Sequence, residues 1–362
     1  MSLCMIVRDE EAVLERCLES VKGFPDEIII VDTGSKDRTK EIARRWTDQV
    51  YDFTWIDDFS AARNFSFSKA TMDFICWLDA DDVVSEANRL QLIDFKARLQ
   101  PEVDGVVMDY HTAFDQYGNV TISVRRVRIV NRHSHYRWMG VVHENLWMIK
   151  GKANPHVIES DIVIEHRSSR KEPTKRNLDI YEKHLAKGNK LTSQDLFHYA
   201  MELKVDQQYE KAIDYYHQFL EREGSISDQL LAFNHLSVCY HMLGDTDKEL
   251  ELTLRSFTVD TPRPEFCCRL AEFFLKKKQV TQAIFWYELA MKAPVSPHCT
   301  FSYSDSFRTW LPHKQLAICH RVLGNKEQAF DHCNKALSYR PDDVDMIQLD
   351  QWLKNQEIKT LR

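Results

Sequence analysis

From the start of the chain to about residue 165, short and wholly apolar runs alternate with stretches in which apolar side chains recur every three or four positions. "LCMIV" predicts a strand buried on both faces, and "EEAVLERCLESV" a helix whose Val13, Leu14, Cys17, Leu18 and Val21 share one stripe. "DEIIIVDTG" repeats the strand and "SKDRTKEIARRW" the helix, with Ser35 or Asp37 as the expected cap. A third unit follows in "QVYDFTW", "FSAARNFSFSKA" and "FICWL". Strands alternating with helices predict an α/β domain with a mostly parallel sheet covered on both faces. From about residue 192 the rhythm changes to helix after helix.

In that second half, small and aromatic residues return at fixed offsets. Ala200, Leu203, Tyr209, Ala212, Tyr216 and Phe219 are echoed by Ser237, Tyr240, Glu249 and Ser256, then by Ala271, Phe274, Ala283, Tyr287 and Ala290. Ala317, His320, Ala329, Cys333 and Ala336 follow, with Pro341 beyond. This resembles the tetratricopeptide repeat, whose period is about 34 residues and whose small residues let paired helices approach closely. The second copy departs from it, with Glu249 where alanine is usual. An insertion, "SPHCTFSYSDSFRT", carries Phe301, Tyr303 and Phe307 ahead of Trp310. Such an array is either a stabilising stack or a concave surface for a protein or peptide.

The length of 362 residues suits two domains, expected at 1–180 and 181–362. A net charge of -7 argues against a nucleic-acid coat protein. No basic region precedes the N-terminal apolar run and no 18 apolar residues follow one another, so a soluble cytoplasmic protein without a transmembrane segment is expected. None of the nine cysteines forms a C-x-x-C pair, and Cys4, Cys17, Cys76, Cys239, Cys319 and Cys333 fall in apolar periodic segments, which predicts core thiols.

Ligands of parallel sheets bind beyond the carboxyl ends of the strands. Polar residues collect there: Arg8 to Glu10, Asp32 to Ser35, and Asp79 to Asp82. Neither G-x-G-x-x-G nor G-x-x-x-x-G-K-[ST] is present, which excludes the best-known dinucleotide and P-loop signatures. Three close carboxylates repel one another unless something positive sits among them. Period-two alternation puts Asp79 and Asp81 on one side and turns Asp82 away. Such a pair suits Mg²⁺ or Mn²⁺, or else the cap of the following helix. His143-Glu144 is a proton-accepting pair or a surface dipeptide, and His166 a ligand or a structural histidine. The basic runs at 124–137 and 167–176 are solvated faces or anion contacts.

Taken together, "CMIVRDEEAVLERCLESV", "DEIIIVDTGSKDRT" and "TWIDDFSAARNFSFSKATMDFICWLDADD" resemble the family 2 glycosyltransferases of the GT-A fold. The branch with "DTGS" after its second strand includes lipopolysaccharide-core glucosyltransferases and the S-glycosyltransferases of sublancin-type bacteriocins, which add a repeat region. The resemblance implies a nucleotide-sugar donor, expected to be a UDP-sugar, and an inverting transfer dependent on Mg²⁺ or Mn²⁺. It makes Asp79-Ala80-Asp81 the Asp-x-Asp segment, with Asp81 on the metal, Asp79 on ribose or metal, and His166 completing the metal site. Asp32 would contact the base, although many relatives read Asp-Asp where this chain has Asp32-Thr33. Arg63 and Asn64 would lie beside base and ribose, and Arg8 and Glu10 on the nucleotide side. Glu144 falls where inverting relatives carry the base, and Lys171, Lys175 or Arg176 would close over the diphosphate. A peptide or protein acceptor held by the repeats is the first expectation. A saccharide or lipid-linked acceptor and an inactive scaffold are the alternatives. The repeats would also serve a homodimer.

Overall fold

Each apolar run of the first half becomes a strand where the pattern predicts one. In the computed structural model, which describes residues 1–150, 154–168, 175–222, 224–294, 301–302 and 305–360, β1 (Ser2–Val7), α1 (Leu14–Ser20), β2 (Glu27–Asp32), α2 (Thr39–Arg44), β3 (Val50–Asp52), α3 (Phe59–Phe67) and β4 (Phe74–Trp77) come first. Then follow β5 (Asp82–Val83), α4 (Glu86–Arg98), β6 (Gly105–Phe114), β7 (Val120–Asn131), β8 (Tyr136–Met139), β9 (Asn145–Met148) and β10 (Val157–His166). The sheet runs β3-β2-β1-β4-β7-β6-β10-β5. β1 pairs in parallel with β2 on one side and β4 on the other, so the strand order reverses at β1, the place where such sheets open a crevice. Register Val7↔Asp32 brings the first two strand ends level. The helix caps differ from expectation: Asp37 accepts the Thr39 N–H at 2.9 Å, whereas Ser35 takes the Asp9 N–H at 3.0 Å and so ties the first two strand-end loops together.

The opposite edge of the sheet is fastened by Glu27. Its carboxylate accepts from the Thr71 N–H (2.6 Å), the Thr71 hydroxyl (3.0 Å) and Ser2 Oγ. Burial works against its charge, but these hydrogen bonds outweigh it and hold the carboxyl at about 2 instead of the ordinary 4.5. A depressed folded-state value stabilises above 4.5, and that stability is lost as pH falls through about 2. Glu27→Gln should therefore lower the unfolding midpoint at pH 7 and flatten its acid dependence in that window, as denaturant titrations at several pH values would read.

Residues 1–113 with 123–202 form one compact unit, and 114–122 with 203–362 a second. The division thus lies at 202 and not at 180, because α5 (Arg176–Ala186) and most of α6 (Ser193–Val205) belong to the first unit. Tyr181 is fully buried there and donates its hydroxyl to the Val142 carbonyl at 3.3 Å, while Gln194 Nε2 donates to the His143 carbonyl at 3.0 Å.

The second unit is built of α7 (Tyr209–Leu220), α8 (Ile226–Met242), α9 (Thr246–Ser256), α10 (Pro264–Lys276), α11 (Val280–Lys292), α12 (Trp310–Val322), α13 (Lys326–Tyr339) and α14 (Val344–Thr360). Ala212, Ser237, Ser256, Ala271, Ala283, Ala290, Ala317, Ala329 and Ala336 are all buried, as tight pairing of helices requires. At the irregular copy, Glu249 is compensated by a hydrogen bond with His241 (3.0 Å) and an ion pair to Arg269 (3.4 Å). Phe307 packs against the core of α10 and α11, and Trp310 lies 3.6 Å beneath the Arg340 guanidinium, so these two aromatics of the insertion region are structural. Residues 295–300 and 303–304 lie outside the described residues. Every described cysteine is a buried free thiol. Among the described residues no helix is long and apolar enough to cross a membrane.

Candidate active site

The three strand ends open on a single cleft of about 410 Å³ within the first unit, lined by Arg8, Glu10, Thr33, Arg63, Asp79, Asp81, His143, Glu144 and His166 among others. After β2 the chain turns at Gly34, whose φ of 108° is a conformation that side chains with a Cβ rarely adopt. That turn aims the Gly34 and Ser35 N–H groups at Asp32 Oδ1, at 2.9 and 3.0 Å. The other oxygen, Oδ2, is buried and has no hydrogen-bond partner among the described residues. A buried carboxylate oxygen left without a donor favours a ligand that brings one.

After β4 the chain turns, the Asp82 N–H donating to the Asp79 carbonyl at 3.1 Å, and this turn, not an extended alternation, separates the three carboxylates. Asp79 and Asp81 line the cleft, and Asp82 turns inward to full burial. Asp82 accepts from Tyr110 Oη (2.8 Å), Arg128 Nη1 (3.0 Å) and the Asp79 N–H (3.0 Å). The Arg128 guanidinium, equally buried, is clasped between the rings of Trp77 (3.9 Å) and Tyr110 (4.1 Å). Asp79 meets Arg63 Nη2 at 2.6 Å, while Arg63 Nε donates to Glu144 and its guanidinium lies over Trp77 and Trp138. Asp81 faces His166 Nδ1 at 3.3 Å, brought there by the antiparallel pairing of β10 with β5, in which His166 sits opposite Asp82. The positive charge that three crowded aspartates require is thus supplied by the chain itself, one cation to each. The capping alternative falls away, since α4 is capped by Ser85, which accepts the Asn88 N–H at 3.3 Å.

These pairings set the charge states. Burial opposes ionisation of Asp79, yet Arg63 and then Arg128 hold its carboxyl below the usual range. Hydrogen bonds to Asp81 first, and to Asp82, push His166 up to about 10. As possible metal donors, Asp81, Asp82 and His166 lie within 4.8 Å of one another. Both Asp82 oxygens are already engaged, and Asp79 is turned to Arg63. Asp81 and His166 are therefore the pair that would hold a cation, an oxygen and, once the ring gives up the proton it shares with Asp81, a nitrogen. They fit a hard divalent ion that keeps several waters and takes its remaining ligands from a substrate phosphate.

The other sequence-predicted residues divide. Arg63 enters the cleft, but Asn64 spends its amide on the main chain of Trp138, donating to the carbonyl (2.9 Å) and accepting from the N–H (3.0 Å). Lys175 precedes α5, whose Arg176 and Asn177 are the residues that line the cleft; Lys171 lies outside the described residues. His143 and Glu144 face different partners: Glu144 the Arg63 guanidinium, His143 the Glu202 carboxylate at 2.6 Å. Arg126, Arg128, Tyr110, Trp77 and Trp138 were not singled out from the sequence. The spacing of Arg126 and Arg128 along β7 was the available signal, since residues two apart on a strand share a face. Arg125, between them, goes the other way, to Asp109 and Glu159.

Residues 2–157 match the family described as Glycosyl transferase family 2. The chain is 27% identical over 273 residues to the SPbeta prophage-derived glycosyltransferase SunS of Bacillus subtilis, covering 72% of this chain and 62% of that protein. It is 55% identical over 82 residues to a TPR repeat-containing protein of Synechococcus elongatus, covering 23% of this chain and 20% of that one. The chain therefore spans less than two thirds of the length of these relatives. Solved structures similar to part of it include MamA, with a TM-score of 0.35 at 14% identity over 44% of this chain and 84% of that one. Another is Pseudomonas aeruginosa pilF, with a TM-score of 0.39 at 14% identity over 50% and 74%. With its parallel strands meeting at β1 and an Asp-x-Asp loop at their carboxyl edge, the N-terminal unit is similar to glycosyl transferase family 2 over residues 2–157.

Proposed function

We propose that the chain is a metal-dependent inverting glycosyltransferase that moves a sugar from a nucleotide diphosphate, a UDP-sugar in the first instance, to a peptide or protein side chain. The observation that carries this is the meeting in one cleft of the Asp81–His166 pair, whose oxygen and nitrogen can hold a metal once the ring gives up its proton, with the Asp79–Arg63–Glu144 bridge. A divalent cation held by Asp81 and His166 would neutralise charge on the departing diphosphate. Arg8 and Arg176 line the same cleft as further cationic partners for phosphate, with Lys171 and Lys175 on the segment leading into α5. The unpartnered Asp32 Oδ2 supports its role as acceptor for an N–H of the base, with Glu10 on the nucleotide side. Arg63, fixed between two tryptophan rings, keeps Asp79 oriented toward ribose or metal. The segment 143–144, which lines the same cleft, supplies the proton acceptor, at the position where the resemblance expects Glu144. The helical pairs of the second unit supply a surface of the kind that holds extended polypeptide.

A mass-spectrometric screen of nucleotide-sugar turnover with Mg²⁺, Mn²⁺ or chelator, with candidate acceptor peptides present, tests the proposal. Sugar appearing on peptide supports it in full. Transfer only to saccharides moves the acceptor to the alternative class, and no turnover under any condition leaves an inactive scaffold.

A further inference from the structure

We propose that the proton released by the attacking acceptor goes to Nδ1 of His143, oriented by Glu202, and that Glu144 serves to hold Arg63; this rests on the glycosyl-transfer reading above. The His143 ring lines the cleft, and its Nε2 lies 2.6 Å from Glu202 Oε1. An ionised carboxylate only accepts hydrogen bonds, so Nε2 carries the hydrogen and the lone pair of the neutral ring is at Nδ1. Nδ1 makes no hydrogen bond to any described residue. Asn177 Nδ2 donates to the same Glu202 oxygen at 3.0 Å. Burial opposes the charge on Glu202, but the bonds from His143 and Asn177 outweigh it and keep the carboxyl below its ordinary range. A nitrogen base with a fixed carboxylate behind it is the arrangement that orients an imidazole and stabilises the imidazolium that forms.

The backbone tells the same story. His143 adopts φ 51°, the left-handed region, which is uncommon for a residue with a side chain and gathers at functional sites. Its carbonyl is held by Gln194 and its ring is stacked on His198 at 4.5 Å, so the strained conformation is fixed from three directions. Glu144 is differently placed. It shares with Asp79 the charge of Arg63, and a proton on Glu144 would strip that buried guanidinium of one of its two counter-charges.

In the step itself, the acceptor X–H forms its X–C bond at the anomeric carbon as the anomeric C–O bond breaks. The electron pair of that bond leaves with the nucleoside diphosphate. The proton of X–H passes to Nδ1, giving an imidazolium paired with Glu202, and is then released to water. The titratable and charged groups around His143 are Glu202 and His198 from α6, Arg176 from α5, and Glu144 next along the chain.

The test uses the full chain, a panel of nucleotide sugars including UDP-glucose, and water as the acceptor, with nucleoside diphosphate release followed against pH. His143→Ala should lower kcat by about 10²- to 10⁴-fold and abolish the acid limb of the pH profile. Donor affinity by calorimetry should stay within about 3-fold of the parent, which also reports an intact fold. Added imidazole should restore part of the rate, a rescue that a merely structural histidine would not show. Glu202→Gln should lower kcat and move the acid limb to lower pH, because the imidazolium loses its counter-charge. If His143→Ala keeps the acid limb and ignores imidazole, or if Glu144→Gln loses that limb with donor affinity intact, the assignment is overturned in favour of Glu144. If the parent turns over no nucleotide sugar, the glycosyl-transfer reading falls, and this inference with it.

Discussion

Asp81→Ala should lose metal-dependent nucleotide binding and about 10²-fold or more of its sugar transfer, while unfolding at nearly the parent midpoint. The two halves of this expectation have separate causes. The Asp81 carboxylate is 18% exposed at a strand end and its side chain pairs with His166 alone, so deleting it leaves no buried group stranded. An ion pair so placed contributes about 1 kcal/mol or less to stability. The same deletion leaves one of the two groups that would hold the ion, too little to keep a divalent cation beside a diphosphate. Calorimetry with UDP, in Mn²⁺ and in chelator, reads the first half, and thermal unfolding the second. Equal UDP affinity in Mn²⁺ and in chelator for the parent would remove the metal from the reading.

Arg128→Ala should do the reverse, destabilising the first unit by about 3–5 kcal/mol. Asp82 and Arg128 are both fully buried, and removing the guanidinium leaves an ionised carboxylate in the interior and a gap between Trp77 and Tyr110. The double variant Asp82→Asn/Arg128→Met, which removes both charges together, should recover much of the loss. Denaturant midpoints of the three proteins decide this. A single variant within about 1 kcal/mol of the parent would show that the buried pair does not hold the loop in place. One residue apart, Asp81 and Asp82 thus divide between chemistry and architecture.

The parts of this site that follow from local pattern were legible in the sequence. Apolar runs gave the strands, and the expected parting of Asp79 and Asp81 from Asp82 is found, although a turn from Asp79 to Asp82 produces it and not period-two alternation. What the pattern could not supply was the set of partners. Arg63 lies 16 residues from Asp79 and 81 from Glu144, and Arg128 lies 46 from Asp82; no periodicity relates such pairs. Asn64, which the resemblance puts beside base and ribose, bonds the main chain of β8, since neighbours on a helix face different directions. The helical rhythm of 176–205 likewise announces helices without saying whose core they join, and buried Tyr181 and the His143–Glu202 bond settle that in favour of the first unit.

The pairing of every aspartate with a cation of the same chain bears on how a donor arrives. Among the described residues lining the cleft, Arg8, Arg63, Arg126, Arg176 and His166 stand against Glu10, Asp79, Asp81 and Glu144. Opposite charges interleaved at this spacing cancel one another beyond a Debye length of about 8 Å at physiological ionic strength. Such a cleft, near charge balance, casts a weak field into solution, so it draws a nucleotide sugar from afar less than a uniformly basic groove would. Capture depends little on ionic strength and becomes an exchange at close range. A diphosphate that reaches Arg63 takes over a guanidinium that Asp79 and Glu144 already hold, and the carboxylates it displaces are then free for the ion and the hydroxyls that travel with it.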